Sequence, residues 1–544
     1  MSEAAEDSLL AWYETSVGEL KEKFVYNDLS ADEKASYDLW VYQYEQMKEA
    51  KKFRQLDYVF DQMRGMHTQL PNILINFHKV DSVEDMEAYI SRIRESGRAM
   101  NQLVDRAKAQ SEAGVLPPKF TFETVIKQTK ALVDGKPFSQ AENGSPLWND
   151  MNTEIDSLLA AGKIDEAKAQ LLRDSTEQVL VQHFKPAYDN LLSWLETSIE
   201  KAEEKPTGVS RHENGDAFYN YRLKASTTTN LTAEEVHNIG LQEVARIKEE
   251  MLAIKDQVGF EGSLNEFFEF VNTDPQFFFP NTDEGRKGYL DESTAYLDAI
   301  NEKLPEYFGI LPKAALEVKR VEAFREQDGA PQHYFPGTPD GSRSGIYYVH
   351  LSDMAAMPKT TMEGVAYHEG NPGHHMQISI AQELESVPKF RTQQNFTAYA
   401  EGWALYSEAL AKEMGGYQNP YYDFGRLVNE IWRAIRLVVD TGLHSKGWTE
   451  EQAIQYFKDN SSISEGAIVA EVQRYMVMPG QATAYKIGML KIQELRKKAE
   501  DALGDKFDIK AFHDVILGGG AMPLEILERQ VNLWIEAEQK KSVG

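Results

Sequence analysis

The chain has 544 residues and a formal net charge of −28, from 58 basic against 86 acidic side chains, and it contains no cysteine. A surface this acidic repels phosphate backbones and anionic lipid, which argues against nucleic acid or a membrane surface as a partner. Without cysteine there is no disulfide, no thiolate catalysis and no Cys-ligated metal, so a metal site would need histidine and carboxylate ligands.

The amino-terminal segment, MSEAAEDSLLAWYETS, shows neither the basic nor the apolar region of a signal peptide. No run of about 18 apolar residues could span a bilayer as a transmembrane segment. We therefore expect a soluble cytoplasmic protein, the alternative being a periplasmic protein or exported lipoprotein whose leader has been trimmed. A monomer and a weak dimer are both open.

Length and hydrophobic periodicity predict a mostly α fold, with a large helical body and a central cleft. The segment 205–217 gathers proline, glycine and asparagine, and it marks the boundary between an N-terminal helical subdomain (1–205) and a catalytic helical subdomain (206–544). Capping-box patterns predict three helix starts: Ser30-x-x-Glu33, Ser82-x-x-Asp85 and Thr232-x-x-Glu235.

The stretch from about 315 to 351 predicts a small β element next to the metal site. ALEVKRVEAF and GIYYVHL are rich in β-branched and aromatic residues, and the turn-rich PGTPDGSRSG separates them. An edge strand here could pair with an extended peptide, with Tyr348 as a substrate contact; a purely structural hairpin is the alternative.

A metal site is indicated by three of the chain's 12 histidines, which fall between 368 and 375. Imidazole nitrogens suit Zn²⁺, and a carboxylate beside the first histidine, Glu369 after His368, can act as general base on a water that the metal activates. The spacing departs from H-E-x-x-H, because the next histidines are His374 and His375.

A bulge in the predicted helix reconciles this spacing with one ion. On an unbroken helix His375 would lie about 10 Å from His368, too far for one ion to bridge. Pro372 removes a backbone donor and Gly373 permits unusual backbone angles, so the chain can return His374 to the ligand position. We favour His374 over His375 as the second ligand.

The third ligand is expected from the following helix, FTAYAEGWALYSEALAKEM, which presents Glu401. Two histidines and one glutamate, with a fourth position left to water, describe a catalytic rather than a structural zinc site. Glu408, two turns along the same face, is a candidate for orienting a ligand histidine.

A further predicted helix carries charged residues on one face. Arg433, Arg436 and His444 are candidate substrate contacts, and Asp440 between them is a candidate supporting residue. A cation there could hold a substrate C-terminal carboxylate, which would favour exopeptidase action, and Lys486 could do the same. A buried salt-bridge network that supports the site is the alternative.

The sequence resembles the bacterial domain-of-unknown-function 885 family, whose H-E-x-x-P-G-H-H signature matches residues 368–375 without a gap. The resemblance covers about residues 50–535. It also includes LTAEEVHNIGLQEV near 231, YAEGWALYSE from Tyr399, RAIRLVVDTGLHSKGW from Arg433, RYMVMPGQATAYKIG from Arg474 and FHDVILGGGAMPLEIL from Phe512.

The family in turn resembles helical zinc peptidases of the gluzincin type, such as the angiotensin-converting-enzyme and thermostable-carboxypeptidase relatives. In those relatives a tyrosine downstream of the ligands stabilises the oxyanion. The resemblance implies Tyr475 or Tyr485 for this role, with Arg474 matching the arginine of an Arg-Tyr pair and contacting substrate.

The expected function is therefore that of a zinc-dependent peptidase acting on short peptides, as a carboxypeptidase or dipeptidase. In this reading Glu369 acts as general base and Zn²⁺ is the cofactor. One alternative is a non-catalytic scaffold that binds metal or peptide. Another is a zinc hydrolase that acts on a different amide or on an ester.

Overall fold

The computed structural model describes residues 2–322, 326 and 331–541, which form many α-helices and one small β-sheet. The mostly α fold with a small β element is thus confirmed. Two compact units are present, and the first two helices, α1 (Glu3–Lys23) and α2 (Ala31–Phe53), contribute residues to both. No helix in this described part of the chain is long and apolar enough to cross a membrane.

The first unit comprises Met1–Thr15, Met47–Thr207 and Arg211–Gly215. Its core contains Met86, Tyr89 and Ile93, which recur at helical spacing and lie on the buried face of one helix. The α-helices that lie within this unit are α3 (Met66–Phe77), α4 (Val83–Glu112), α5 (Lys119–Leu132), α6 (Pro146–Ala160), α7 (Glu166–Val179) and α8 (Lys185–Ser198).

The second unit comprises Ser16–Gln46, Gly208–Ser210 and Asp216–Gly544. Its α-helices are α9 (Gly215–Thr227), α10 (Ala233–Gln257), α11 (Leu264–Thr273), α12 (Asp283–Asn301), α13 (Leu304–Tyr307), α14 (Lys359–Glu369), α15 (His374–Gln382), α16 (Thr397–Glu413), α17 (Pro420–Ser445), α18 (Glu450–Asn460), α19 (Glu465–Val477), α20 (Ala484–Leu503), α21 (Ile509–Leu517) and α22 (Leu524–Lys541). Helix α17 is the most buried of them and packs against α10, α14 and α20.

The β element has three described strands, β1 (Leu316–Arg320), β2 (His333–Phe335) and β3 (Gly345–Val349), in the order β1-β3-β2. The two apolar stretches do not form a hairpin, since β1 pairs with β3 in parallel and β2, missed in the sequence, pairs antiparallel with β3. A parallel pair needs a long connection, which the intervening chain supplies. Residues 323–325 of the predicted first stretch lie outside the described residues.

The predicted helix starts are confirmed by side-chain caps. At the second of them, the Ser82 side chain accepts a hydrogen bond from the backbone N–H of Asp85. At the third, Thr232 and Glu235 cap each other's backbone N–H groups in a full capping box. The Ser30 and Glu33 side chains do the same at the start of α2.

Glycines set the distance between the two helices α16 and α20. A Cβ added to Gly488 would lie 1.9 Å from the carbonyl oxygen of Ala398, and one added to Gly402 would lie 2.5 Å from the Cα of Gly488. The two backbones are therefore in direct contact, which only residues without a side chain permit. This contact fixes where α16 presents Glu401.

We expect Gly488→Ala to destabilise the protein, because the new methyl group meets backbone atoms that cannot move aside. Overpacking of this kind typically costs about 1–3 kcal/mol. Gly466→Ala is the matched control, since a Cβ at Gly466 meets nothing within 4 Å. The midpoint of urea unfolding, followed by circular dichroism, should fall for Gly488→Ala only; equal midpoints for both variants would contradict the packing.

Candidate metal centre

The histidine motif spans two helices rather than one bulged helix. Helix α14 ends at Glu369 and α15 begins at His374, so His368 closes one helix and His374 opens the next. The expectation of a single bulged helix is therefore wrong in detail. The break has the same effect, because it brings the second histidine back beside the first.

The turn between these helices is held tightly by backbone and side-chain contacts. A Cβ at Gly373 would lie 2.1 Å from the carbonyl oxygen of His368, so glycine is required there. The Pro372 carbonyl accepts hydrogen bonds from Trp403 Nε1 at 2.8 Å and from Ser407 Oγ at 3.2 Å. Both donors belong to α16, the helix that also carries Glu401.

His368, His374 and Glu401 form a compact cluster. The Nε2 atoms of both histidines lie 3.5 Å from Oε2 of Glu401. One potential ligand atom from each of the three side chains lies within 4.8 Å of the others. Two imidazole nitrogens and one carboxylate oxygen are a donor set that suits a divalent transition metal, so these residues could hold one.

Glu408 orients the first histidine of the cluster. Its Oε1 lies 2.8 Å from Nδ1 of His368, and both side chains are buried. Because Nδ1 donates to this carboxylate, Nε2 carries no proton in the neutral ring and is free to bind an ion. This is the usual role of a carboxylate behind a ligand histidine.

His375 lies outside the cluster, although it follows His374 directly. Its Nδ1 is 3.0 Å from the hydroxyl of Tyr334, and its Nε2 is 3.1 Å from the carbonyl oxygen of Ala314. Burial lowers the pKa of His375 to about 4, so the ring is neutral at pH 7. With both nitrogens engaged, His375 is a structural residue rather than the second ligand.

The pKa values of His368 and Glu401 depend on burial and on the opposite charges beside them. Burial alone would lower the pKa of His368, but its contacts with Glu401 and Glu408 outweigh burial and raise it to about 9. Burial would raise the pKa of Glu401, but the two histidines hold it well below its usual range. A metal ion must displace the His368 proton, so binding of the ion should strengthen as pH rises toward that value.

Glu369 is buried beside the cluster without belonging to it. It is 8% exposed and is not one of the three residues whose ligand atoms converge. Burial raises the pKa of Glu369, against the opposing charges of the two cluster histidines and of Arg433. A buried carboxylate beside the cluster is a candidate proton acceptor.

The two candidate tyrosines have different surroundings. The Tyr475 hydroxyl is completely buried, donates to Glu471 at 2.6 Å and accepts from Arg436 at 3.1 Å, so it is not available to a substrate. Tyr485 is only partly buried and lies close enough to Glu401 for that carboxylate to help raise its pKa, after burial. Of these two tyrosines, Tyr485 is therefore the one beside the centre.

The three candidate arginines have different surroundings. Arg436 and Arg474 lie in a buried network, and Arg433 lies beside the centre. Arg436 and Arg474 each bond to Oε2 of Glu471 at 3.0 Å, so both belong to a buried network of the kind expected as the alternative. Arg433 bonds through its NH1 to the Asn429 carbonyl at 3.0 Å and has no carboxylate within ion-pair distance among the residues described.

Three further candidates are structural and lie outside the centre. Lys486 is fully buried and pairs with Glu430 at 2.6 Å and with Glu243, which neutralise its charge. Asp440 accepts from the Tyr219 hydroxyl and the Gly480 N–H, and burial raises its pKa to about 7. His444 bonds to the Val209 N–H and the Tyr475 carbonyl.

Tyr348 does not face the centre. It stacks on His333 of the neighbouring strand, with ring centroids 5.4 Å apart. The alternate residue Tyr347 is buried and lies close enough to Glu369 for the two to interact electrostatically. The sequence could have indicated Tyr347 as the alternative to Tyr348, because successive residues of a predicted strand point to opposite faces.

The fold and the cluster define a mostly helical protein with a two-histidine, one-glutamate centre that could hold a metal ion. The chain belongs to the bacterial family described as "Bacterial protein of unknown function (DUF885)", which it matches over residues 1–531. The family resemblance of the sequence is thus confirmed.

Two solved structures are similar to the chain. One, from Colwellia psychrerythraea and described as a "putative lipoprotein", is 32% identical, with a TM-score of 0.89 over 99% of this chain and 92% of that one. The other, a "putative lipoprotein of unknown function" from Shewanella oneidensis, is 19% identical, with a TM-score of 0.73 over 97% and 92%. The second likeness concerns the fold alone. No curated protein matches the chain.

The two adjacent histidines allow a matched test of the centre. We expect His374→Ala to abolish tight binding of Zn²⁺ by the purified protein, because it removes one of three ligands. We expect His375→Asn to keep it, since Tyr334 and the Ala314 carbonyl engage both ring nitrogens of His375. Equilibrium dialysis followed by elemental analysis measures both. Loss of zinc from His375→Asn but not from His374→Ala would reverse the ligand assignment.

Proposed function

We propose that the protein is a zinc-dependent peptidase that hydrolyses short peptides. The donor set supports zinc, because two histidines and one glutamate are typical of catalytic zinc sites that leave a position open. In such a site zinc polarises a substrate carbonyl and lowers the pKa of a water to about 7.

The observation that carries the proposal is the position of Glu369. A purely structural metal site needs no additional buried carboxylate, whereas a hydrolytic site needs a base. Glu369 follows the ligand His368 directly and remains outside the ligand group. It can take a proton from the attacking water and pass it to the leaving amine, and its raised pKa suits both steps.

Tyr485 supports the same chemistry. Burial is the main cause that raises its pKa, so the phenol keeps its proton at neutral pH. A protonated phenol beside Glu401 can donate a hydrogen bond to the carbonyl oxygen as that oxygen gains negative charge. This assigns to Tyr485 the role that the sequence left open between two tyrosines.

Short or unfolded peptides fit the burial of the centre. His368 is 4% exposed and Glu369 is 8% exposed, so the reacting groups lie below the surface. A flexible chain can reach such groups, but a folded substrate presents its backbone on a convex surface. The description of the Colwellia psychrerythraea relative favours the periplasmic or exported-lipoprotein location over a cytoplasmic one.

We expect Glu369→Gln to separate metal binding from catalysis. The amide leaves His368, His374 and Glu401 to hold zinc, but it cannot accept the proton of the water. General acid–base catalysis is typically worth about 10²–10⁴-fold in rate, so turnover of short peptides should fall by at least that order. Zinc content and the thermal midpoint should stay near wild type.

Glu401→Gln is the contrasting variant, because a neutral amide oxygen is a poorer ligand than a carboxylate. It should lose zinc as well as activity. Elemental analysis and the release of new amino groups from a peptide mixture measure the two effects separately. Full activity in Glu369→Gln would refute the general-base role, and loss of zinc from it would make Glu369 a ligand.

A further inference from the structure

One face of α17 carries buried N–H groups that have no acceptor among the residues described. They belong to four side chains at positions i, i+3, i+4 and i+7, which share a helix face. Buried donors in proteins are normally satisfied, so a row of unsatisfied ones needs an explanation. The four atoms of this donor row are Asn429 Nδ2, Trp432 Nε1, Arg433 Nε and Arg436 NH1.

The donor row lies along the candidate metal centre. The guanidinium of Arg436 lies over the ring of Tyr485, 4.5 Å from its centroid, and Tyr485 in turn adjoins Glu401. At the other end, Asn429 Nδ2 lies 3.0 Å from where a Cβ of Gly364 would be, one turn before His368 on α14. The row therefore runs past the metal centre. One end lies near Glu408, which orients His368, and the other end lies at Tyr485.

Partly exposed residues border the row, although its four donor atoms are themselves buried. Between Asp423 and His444 the helix is buried except at Val428, Trp432 and Arg433, which are partly exposed. Glu401 and Tyr485, on other helices of the same centre, are also partly exposed. A ligand would therefore approach the row at Trp432 and Arg433.

Arg433 is the cation of the row that has no ion pair among the residues described, although its charge acts on the nearby Glu369. Arg436 shares Glu471 with Arg474, whereas Arg433 bonds to the Asn429 carbonyl and lies over the Trp432 ring, 5.6 Å from its centroid. A guanidinium without an ion pair, with neutral donors around it, fits a planar monoanion that accepts several hydrogen bonds. A doubly charged phosphate is disfavoured, because Glu369 and Glu401 lie nearby.

We propose that the middle of the donor row, around Trp432 and Arg433, is a carboxylate subsite that binds the C-terminal carboxylate of a peptide, with Arg433 as its principal binding residue. This rests on the proposed function, since the bond to be cleaved must lie at the metal centre. A carboxylate anchored next to that centre places one of the last peptide bonds there.

Hydrolysis of that bond consumes one water. The hydroxyl of the water joins the carbonyl carbon, the C–N bond breaks and the leaving amine gains the proton. The products are a shortened peptide and a free amino acid or dipeptide.

The test compares two probes that differ only at the C-terminus, N-acetylated trialanine with a free carboxylate and the same peptide as its C-terminal amide. Each is titrated by calorimetry into the zinc-loaded Glu369→Gln protein, which should bind without turnover. The free acid should bind about 10- to 100-fold more tightly than the amide, as expected for hydrogen bonds to a charged group.

Adding Arg433→Met should abolish the preference for the acid and leave amide binding unchanged. Arg433→Lys, which keeps the charge but not the planar fork, should restore only part of it. Arg98→Met is the control, because Arg98 is 62% exposed and pairs with Glu95 on its own helix. It should leave both affinities unchanged.

The outcomes separate this inference from the peptidase proposal. Equal binding of acid and amide by the Glu369→Gln protein would overturn the carboxylate subsite, even if the wild type hydrolyses both peptides. An acid preference that persists in Arg433→Met would overturn the role of Arg433. An Arg433-dependent acid preference in a protein that hydrolyses neither peptide would support the subsite and overturn the peptidase. If Arg433→Met fails to fold, the comparison of acid and amide binding by the Glu369→Gln protein still tests whether the carboxylate subsite exists.

Discussion

The candidate centre depends on the two hydrogen bonds that the Pro372 carbonyl accepts from Trp403 and Ser407. A continuous helix would carry the two histidines of the cluster too far apart for one ion, so the chain must break between them and the break must be held in one conformation. Helix α16 holds it and also supplies Glu401. Helix α16 therefore positions both histidines and the glutamate of the cluster. The direct contact of its Gly402 with Gly488 fixes the distance between α16 and α20. A displacement of α16 would disturb the ligands and the turn together.

Burial of so many charges requires that nearly all of them be paired. Arg436 and Arg474 share Glu471, while Glu430 pairs with Lys486 and with Arg246 of α10. Four unsatisfied donors lie together along one face of α17, beside the metal centre, although single unsatisfied atoms also occur elsewhere, for example on Arg391. Because buried donors are normally satisfied, a group of four on one helix face is a candidate for contact with a ligand.

Residue types and spacing alone predict the helical fold, the capping boxes and the cluster of His368, His374 and Glu401. Helical periodicity and donor chemistry are local properties, so they can be read from the chain. The pairing of β1 with β3 and the roles of the α17 face could not be, because they depend on which distant residue meets each side chain. Asp440 and His444 illustrate this: the pattern placed them on one face with Arg433, but their partners, Tyr219 and Val209, come from distant parts of the chain.

An anomalous difference map from a crystal loaded with zinc, with data collected on both sides of the zinc absorption edge, tests the ligand assignment directly. We expect one strong peak per chain, about 2.0–2.2 Å from Nε2 of His368, Nε2 of His374 and a carboxylate oxygen of Glu401. Glu369 should lie nearby without coordinating the ion. A peak bound to His375, or coordination of the ion by Glu369 in place of Glu401, would refute the proposed centre.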